Sequence, residues 1–283
     1  MHIVQLLVQM GTIVLVGRVL ALGFRRMGQP AVIAEIVAGI ALGPSLFGAV
    51  APEGMKALFP AESMQVLSMI AQLGLVLFMF LVGLELDTRL LRGQGRTSVA
   101  ISASGIVLPF VLGSALAVPL HAGLAPEGVP LLSFALFLGV AMSVTAFPVL
   151  ARILTERRLI RTRIGAVALA AAAVDDVTAW CLLAGVVAVA SASGAVPVAK
   201  TIALAVVYVV GMFKVVRPML ARIGPRAGAS LSADLVAGVF LLLLGSAALT
   251  EWIGIHALFG AFCFGVVVPR RNALASVLVE KLE

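Results

Sequence analysis

Long apolar segments recur along the whole sequence and are separated by short polar or Pro/Gly-rich joints. Of the 283 residues, 62% are hydrophobic and 12% are charged, whereas soluble domains carry about 25% charged residues. A chain with so few polar side chains cannot cover the surface of a water-soluble protein, so it must be dissolved in lipid. Segments such as residues 235–244 are continuously apolar, without the alternation expected of a membrane β-barrel. The sequence therefore predicts an all-α polytopic membrane protein.

Nine segments are long and apolar enough to cross a bilayer, since a helical crossing needs about 20 mostly apolar residues. They lie at residues 3–24, 31–50, 64–86, 97–120, 129–153, 164–191, 198–219, 231–250 and 253–269. The first segment has no basic start, and Arg25 and Arg26 follow it, so we interpret it as a retained span and not as a cleaved signal. We expect about nine transmembrane helices in a multi-pass protein of a bacterial inner or plasma membrane.

The basic residues lie almost entirely on one side of these predicted spans. Of the 20 Lys and Arg residues, only Lys56 and Lys200 lie in or next to joints that follow even-numbered spans, and Arg18 lies inside the first span. The positive-inside rule then predicts an extracellular N-terminus and a cytoplasmic C-terminus. The unequal distribution of Lys and Arg across the lipid bilayer accounts for the formal charge of +7, so we predict no nucleic-acid partner.

Two of the spans share a pattern and are expected to run in opposite directions. In the second span, seven residues separate Ala31 from Gly39, and the same spacing separates Ala257 from Gly265 in the ninth span. Repeats of inverted topology are typical of secondary transporters. We therefore predict an inverted-repeat fold whose second repeat is incomplete. Its parts are a first six-helix repeat with the ion-site helices (residues 1–191), a linker helix (192–230) and the start of the second repeat (231–283).

A pair of acidic residues, Asp175 and Asp176, occupies the middle of the sixth span. One Asp at the centre of a membrane helix costs about 2.5–3.5 kcal/mol, so ionisable residues at this depth are by default part of an ion or proton pathway. The low dielectric and a like-charged neighbour both favour the protonated carboxyl group. The pair can therefore hold a proton and exchange it for a cation. A structural pair satisfied by neighbouring helices is the alternative interpretation.

The fifth span contains Ser143, Thr145 and Pro148 close together. Proline removes a backbone donor and clashes with the preceding turn, which frees carbonyl groups. Such irregular backbone is tolerated at membrane depth only where protein or water surrounds it, and carbonyl and hydroxyl oxygens can bind alkali cations. This pattern predicts a broken helix beside the acidic pair. The alternative is an ordinary proline kink whose hydroxyl groups bond back to carbonyls one turn earlier.

Three further residues are candidates for a structural or gating role. Glu35 lies inside the second span and can pair with Arg152 near the end of the fifth span, either to stabilise the fold or to gate the pathway. His256 opens the ninth span beside Glu251 and serves either in pH sensing or as an ordinary interfacial residue.

The sequence contains no Gly-rich phosphate loop, no nucleophile triad and no His/Cys cluster. Cys181 and Cys263 both lie in apolar stretches, where packing is the simplest role. We therefore predict that the protein is not an enzyme, needs no cofactor and binds no metal beyond a transported alkali cation.

Four stretches of the sequence carry recognisable motifs. They are residues 28–45 (GQPAVIAEIVAGIALGPS), 80–87 (FLVGLELD), 143–154 (SVTAFPVLARIL) with 173–176 (AVDD), and 254–262 (GIHALFGAF). In this order and combination they resemble the monovalent cation:proton antiporter family, in the branch of Kef-type potassium systems and plant cation/proton exchangers. The resemblance covers nearly the whole chain.

The resemblance implies a homodimer in which a core domain moves like an elevator and two broken helices cross near the acidic site. Asp176 matches the family's cation and proton carrier. Asp175 matches the partner residue that, in paired-Asp members, contacts a lysine on a later helix. Thr145 and Pro148 match the broken-helix motif. The chain departs from the family in length, because family members have more than nine membrane helices.

The acidic pair and the resemblance together predict a secondary transporter that exchanges sodium or potassium for protons by alternating access. Two other functions stay open, a channel-like potassium efflux module and an inactive, truncated membrane subunit. The residues expected to bind the cation and the proton are Asp175, Asp176, Thr145 and Ser143, with Pro148 at the helix break.

Overall fold

A computed structural model describes residues 3–86, 95–190, 196–223 and 233–269 of the chain. Within these ranges the protein is helical and forms no β-strand, which confirms the predicted all-α class. The helices are α1 (Ile3–Arg26), α2 (Ala31–Leu42), α3 (Phe47–Val50), α4 (Pro52–Leu58), α5 (Ala61–Glu85), α6 (Gly95–Leu124), α7 (Leu131–Ser143), α8 (Phe147–Glu156), α9 (Arg163–Ala190), α10 (Val196–Gly211), α11 (Arg217–Ile223), α12 (Ala233–Ile253) and α13 (Ala257–Val267), with a π-helical segment (Met212–Val216) before α11.

Eight helical segments in the described residues are long and apolar enough to cross a membrane, and the apolar helix α13 is shorter. Three of the eight combine more than one helix, namely Ala31–Val50, Leu131–Glu156 and Ala199–Arg222. Each of the nine corresponds to one predicted span. The prediction of about nine transmembrane helices is therefore confirmed, and the chain is an integral, multi-pass membrane protein.

The second predicted span differs from the observed helices in its C-terminal half. The sequence predicts one span over residues 31–50, whereas α2 ends at Leu42 and the separate short helix α3 follows. Gly43 precedes Pro44, and a residue before proline is pushed towards extended backbone; Gly43 has φ −83° and ψ −172°. A further helix that the sequence pattern does not predict, α4, begins with Pro52 at its first position, where proline is favoured.

Some predicted features lie outside the described residues. These are the segment boundaries near residues 192, 230 and 231, the stretch from residue 270 to residue 283, Asp87 in the second of the four motifs, and several basic residues of the predicted cytoplasmic joints.

The chain divides into two compact units. One consists of Met1–Leu75 with Ala151–Leu159, and the other of Val76–Leu150 with Ile160–Glu283. The acidic pair and the predicted helix break belong to the second unit, whereas Glu35 and Arg152 belong to the first.

Polar contacts between helices stabilise the first unit. The buried Gln9 of α1 donates from its amide nitrogen to the Leu58 carbonyl (2.6 Å) and to the Ser63 hydroxyl (2.7 Å). At the start of α2, the N–H of Ala31 donates to both carboxylate oxygens of Glu156, each at 2.8 Å. The first N–H groups of a helix have no partner within the helix, and negative charge is favoured at that end. Glu156 therefore anchors the end of α8 to the start of α2.

The second unit contains a helix crossing at which no side chain separates the two backbones. A Cβ atom at Gly83 of α5 would lie 3.0 Å from the Cα of Gly265 in α13 and would overlap the Phe262 carbonyl. The rings of Phe80 and Phe264 stack beside this crossing, with 5.7 Å between their centroids. Helix α13 is almost entirely buried, as expected of a helix that is apolar on all sides.

Candidate functional site

Asp175 and Asp176 lie near the middle of α9, but their side chains have different surroundings. Adjacent residues point about 100° apart on an α-helix. Asp175 is 9% exposed, whereas Asp176 is half-buried and lines a cavity. The two carboxyl groups therefore face different parts of the second unit.

The buried carboxyl group of Asp175 has an unsatisfied oxygen atom. Its Oδ1 has no hydrogen-bond partner among the described residues; of their buried side-chain polar atoms, only Oε1 of Gln9 shares this property. Buried polar atoms in native proteins are normally hydrogen-bonded, because an unpaired polar group in a low-dielectric interior is costly. A proton, a cation or a group outside the described residues would satisfy this oxygen.

The fifth predicted span is interrupted in its middle. Helix α7 ends at Ser143, α8 begins at Phe147, and Val144 is extended, with φ −69° and ψ 126°. The N–H of Phe147 donates to the Thr145 carbonyl at 3.0 Å, so it does not continue the hydrogen-bond pattern of α7. Pro148 lies in the first turn of α8, where its missing N–H would have no helical partner in any case. The last carbonyl groups of α7 therefore lack helical N–H donors.

The hydroxyl groups of Ser143 and Thr145 at this interruption differ in burial and in hydrogen bonding. Ser143 is buried, and its hydroxyl donates to the Gly139 carbonyl at 2.5 Å, which is the bond expected in the ordinary-kink interpretation. Thr145 is exposed, and its hydroxyl makes no hydrogen bond in the part of the chain that the structure describes. Of the two side chains, only Thr145 has a hydroxyl oxygen without a protein partner.

A cavity of about 300 Å³ brings Asp176 together with the helix interruption. Val140 and Ala141 from the last turn of α7 and Val144 from the interruption line it on one side. The remaining lining residues are Phe137, Ala179, Trp180 and Leu183. Among the described lining residues, Asp176 is thus the one charged side chain in an otherwise apolar and aromatic wall, and the negative end of the α7 dipole is adjacent to it.

His256 lies at the turn between α12 and α13 and is not among the described residues that line the cavity. Gly254 has a φ of +97°, a conformation that favours glycine. His256 caps α13 by accepting the Leu258 N–H at Nδ1 (3.4 Å). Its ring packs against Trp180 with 5.6 Å between centroids, and it interacts electrostatically with Asp176. His256, which the sequence analysis named as a candidate for a structural or gating role, therefore lies close to the acidic pair.

Glu35 and Arg152 form an ion pair in the first unit, with 3.8 Å between Oε1 and Nη2. Both side chains are nearly half-exposed, so this pair contributes little to stability. Arg18 and Glu35 also line one cavity of about 260 Å³. Among the described residues, no group of three or more His, Cys, Asp or Glu residues is placed to hold a metal ion.

Trp180 is the residue of the site that the sequence analysis missed. It lies four residues after Asp176 in the same helix, and residues at this spacing are neighbours on one helix face. The spacing alone would have placed Trp180 beside Asp176. The contact between Trp180 and His256 could not be predicted, because the two residues lie far apart in the sequence.

Comparisons with known proteins match the chain over nearly its whole length. A family profile described as sodium/hydrogen exchanger, transmembrane, matches residues 11–283. The chain is similar to Cation/H(+) antiporter 17 of Arabidopsis thaliana, with 43% identity over 98% of this chain and 34% of the relative. It is 41% identical to the Na(+)/H(+) antiporter NhaS4 of Synechocystis sp., over 98% of this chain and 69% of the relative.

A third relative comes from yeast. K(+)/H(+) antiporter 1 of Saccharomyces cerevisiae is 36% identical over 96% of this chain and 32% of the relative. The chain spans about a third of the length of the plant and yeast relatives and 69% of the Synechocystis relative.

Proposed function

The chain belongs to the sodium/hydrogen exchanger family, and from this premise we propose that it contains the ion site of a transporter that exchanges a monovalent cation for protons. In this proposal Asp176 binds the cation and the proton alternately. The relatives are named as cation, sodium or potassium antiporters with protons, so sodium and potassium are both candidate substrates for this chain.

The observation that carries the proposal is the cavity shared by Asp176 and the interrupted helix. A cation that enters a membrane protein loses water and needs oxygen atoms in its place. The Asp176 carboxylate supplies charge, and the free carbonyl groups at the end of α7 supply dipoles of the same sign. We propose that the Thr145 hydroxyl adds a further oxygen, whereas Ser143 acts through its bond within α7.

Competition between the cation and the proton follows from the negative charge of Asp176. A carboxylate surrounded by apolar side chains is stabilised by either a proton or a cation, because both neutralise the buried charge. Bound cation therefore excludes the proton, and bound proton excludes the cation. Asp175 has one buried oxygen without a hydrogen-bond partner among the described residues, and we propose that it supplies a second negative charge next to Asp176.

Coupled exchange requires that the site open to one side of the membrane at a time. We propose alternating access of this kind, carried out by a homodimer, for the whole transporter. The support for it is family membership together with the opposite directions predicted for the spans that share the Ala/Gly spacing. We further propose a positioning role for Glu35 and Arg152, whose ion pair connects α2 and α8.

The test is cation uptake by proteoliposomes that contain the full chain. With an acidic interior and radioactive sodium or rubidium outside, an exchanger should accumulate the cation above equilibrium while the internal pH rises. Asp176→Asn should abolish this uptake, because the amide can neither release a proton nor balance a cation. Glu127→Gln, an equivalent change in the exposed joint before α7, should leave the rate unchanged.

Each other result has a definite meaning. Full uptake by Asp176→Asn would remove Asp176 from the site. Cation flux that only dissipates its own gradient, without a change of internal pH, would favour the channel-like alternative. No flux from correctly inserted protein would favour an inactive membrane subunit.

A further inference from the structure

The cavity beside Asp176 combines a carboxylate with aromatic and aliphatic walls. In the part of the chain that the structure describes, Phe137 of α7 and Trp180 of α9 are the aromatic lining residues, and Asp176 is the only charged one. A bare alkali cation uses oxygen atoms alone and makes no use of the apolar wall. The volume of about 300 Å³ lies at the lower end of the range for small-molecule pockets, which is about 300–1,000 Å³.

The chemistry of this lining selects a particular class of cation. A cation held against an indole or phenyl face is attracted by the ring quadrupole, and a quaternary ammonium group has no N–H that would require an acceptor. Its alkyl groups gain from burial against apolar side chains. The carboxylate and the carbonyl end of α7 supply the negative potential. A quaternary ammonium cation would fill both parts of the cavity, with its positive charge near Asp176 and its alkyl groups against the apolar wall.

The indole of Trp180 is in contact with a second ring, that of His256. The His256 ring packs against Trp180 at 5.6 Å, and His256 is itself held by its capping bond to the Leu258 N–H. An aromatic group that is positioned before the ligand arrives costs less entropy on binding. His256 is therefore a positioning residue for Trp180 in this site.

We propose that the cavity lined by Asp176, Trp180 and Phe137 is a binding site for small quaternary ammonium cations, which occupy it in competition with the transported cation. The binding itself is independent of transport. Only the competition rests on the proposed function, because it requires Asp176 to bind the transported cation.

Equilibrium dialysis of the purified full chain with radiolabelled tetraethylammonium tests the proposal. The wild-type protein should bind one tetraethylammonium per chain, and Asp176→Asn should abolish binding. Trp180→Leu should raise the dissociation constant about five- to thirtyfold, the range expected for loss of a cation–π contact. Trp252→Leu is the matched control, because Trp252 of α12 is 72% exposed and lies outside the cavity lining. It should bind like the wild type.

A fluorescence measurement covers the case in which Trp180→Leu does not fold. The chain has two tryptophans, so Trp252→Phe leaves Trp180 as the single reporter. Its emission should change saturably with tetraethylammonium. An unchanged emission, no binding by the wild type, or equal affinity in Trp180→Leu would each overturn the proposal.

Failure of the ammonium-site proposal can be distinguished from failure of the proposed function. Exchange that continues in proteoliposomes without any tetraethylammonium binding would contradict the present inference alone. Binding without any cation–proton exchange would contradict the proposed function and leave the ammonium site intact. When both hold, tetraethylammonium should raise the cation concentration for half-maximal uptake without lowering the maximal rate.

Discussion

At the level of single residues, the interrupted helix separates two hydroxyl groups that are only two positions apart. Ser143 is still part of α7 and bonds to the carbonyl one turn earlier, whereas Thr145 lies in the non-helical segment between α7 and α8 and is exposed. The backbone therefore decides which hydroxyl is available to a ligand. Sequence alone treats the two residues as equivalent, because both are small hydroxyl side chains in the same motif.

Thr145→Val and Ser143→Ala should have different effects on uptake. Removal of the Thr145 hydroxyl should raise the cation concentration for half-maximal uptake about tenfold, since a hydrogen bond or ligand contact to a charged group contributes about 1.5–3 kcal/mol. Ser143→Ala should change that concentration less than about twofold and should instead lower the free energy of unfolding by about 1 kcal/mol. Uptake kinetics and detergent-based unfolding measure the two effects. Equal changes in uptake would contradict the distinction.

Glu156→Gln should destabilise the first unit. The carboxylate accepts the Ala31 N–H with both oxygens at the positive end of α2, and the amide retains one acceptor without the charge. We expect a loss of about 0.5–1 kcal/mol in the free energy of unfolding at low salt, measured with a denaturant in detergent. Glu127→Gln is the control for loss of an exposed carboxylate. A loss that does not diminish at high salt would argue against the electrostatic explanation.

Sequence identified the acidic pair and the motif around Pro148 but not the whole site. The membrane depth of Asp175 and Asp176 follows from counting residues between the ends of one span. The neighbours of Asp176 do not follow from such a count, because Val144 and His256 come from distant parts of the chain and depend on tertiary packing.

At the level of helices, the interruptions coincide with proline and glycine positions; the break near Pro148 was predicted, and the early end of α2 was not. Residues 43–44 end α2 early, and Pro148 marks the start of α8. Hydropathy did not predict α4, because this short helix lies in a joint and has no long apolar stretch. Its stability comes from its contacts, including the bond of Gln9 to the Leu58 carbonyl, which no local pattern reveals.

Gly83→Ala should destabilise the crossing of α5 and α13. The added methyl group would overlap the Phe262 carbonyl, and backbone atoms cannot move aside as a flexible side chain can. Overpacking of this kind costs about 1–3 kcal/mol or more. Gly74→Ala lies in the same helix with open space around the new methyl group, and should be neutral or stabilising by about 0.5–1 kcal/mol. Thermal unfolding of the two variants in one detergent should show a loss of stability for Gly83→Ala but not for Gly74→Ala, and equal shifts would refute the packing argument.

At the level of the whole molecule, compact units and sequence repeats divide the chain in different places. The boundary between units falls after Leu75 and again around Ala151–Leu159, whereas the predicted repeats divide it near residues 191 and 231. A compact unit is defined by contacts between residues, whereas a repeat is defined by similarity between two segments. The division into compact units therefore does not test the predicted repeat. The inverted repeat therefore stays a prediction.

The predicted orientation can be tested by cysteine labelling. With Cys181 and Cys263 replaced by Ala, a single cysteine is introduced as Glu127→Cys or Arg158→Cys. A membrane-impermeant maleimide should label Glu127→Cys in intact cells, because that joint carries no basic residue. Arg158→Cys should react only after the membrane is opened, because its joint is rich in arginine. The reverse pattern would invert the orientation.

The glycine contact between α5 and α13 also limits how this gene can vary. Every amino-acid replacement of glycine introduces a Cβ atom, and at Gly83 or Gly265 that atom would meet the backbone of the opposite helix. No missense change at either codon is conservative in the steric sense, however similar its polarity. In a saturation mutagenesis screen scored by growth, these two positions should tolerate only synonymous codons, while Gly74, on the same helix, should accept many substitutions.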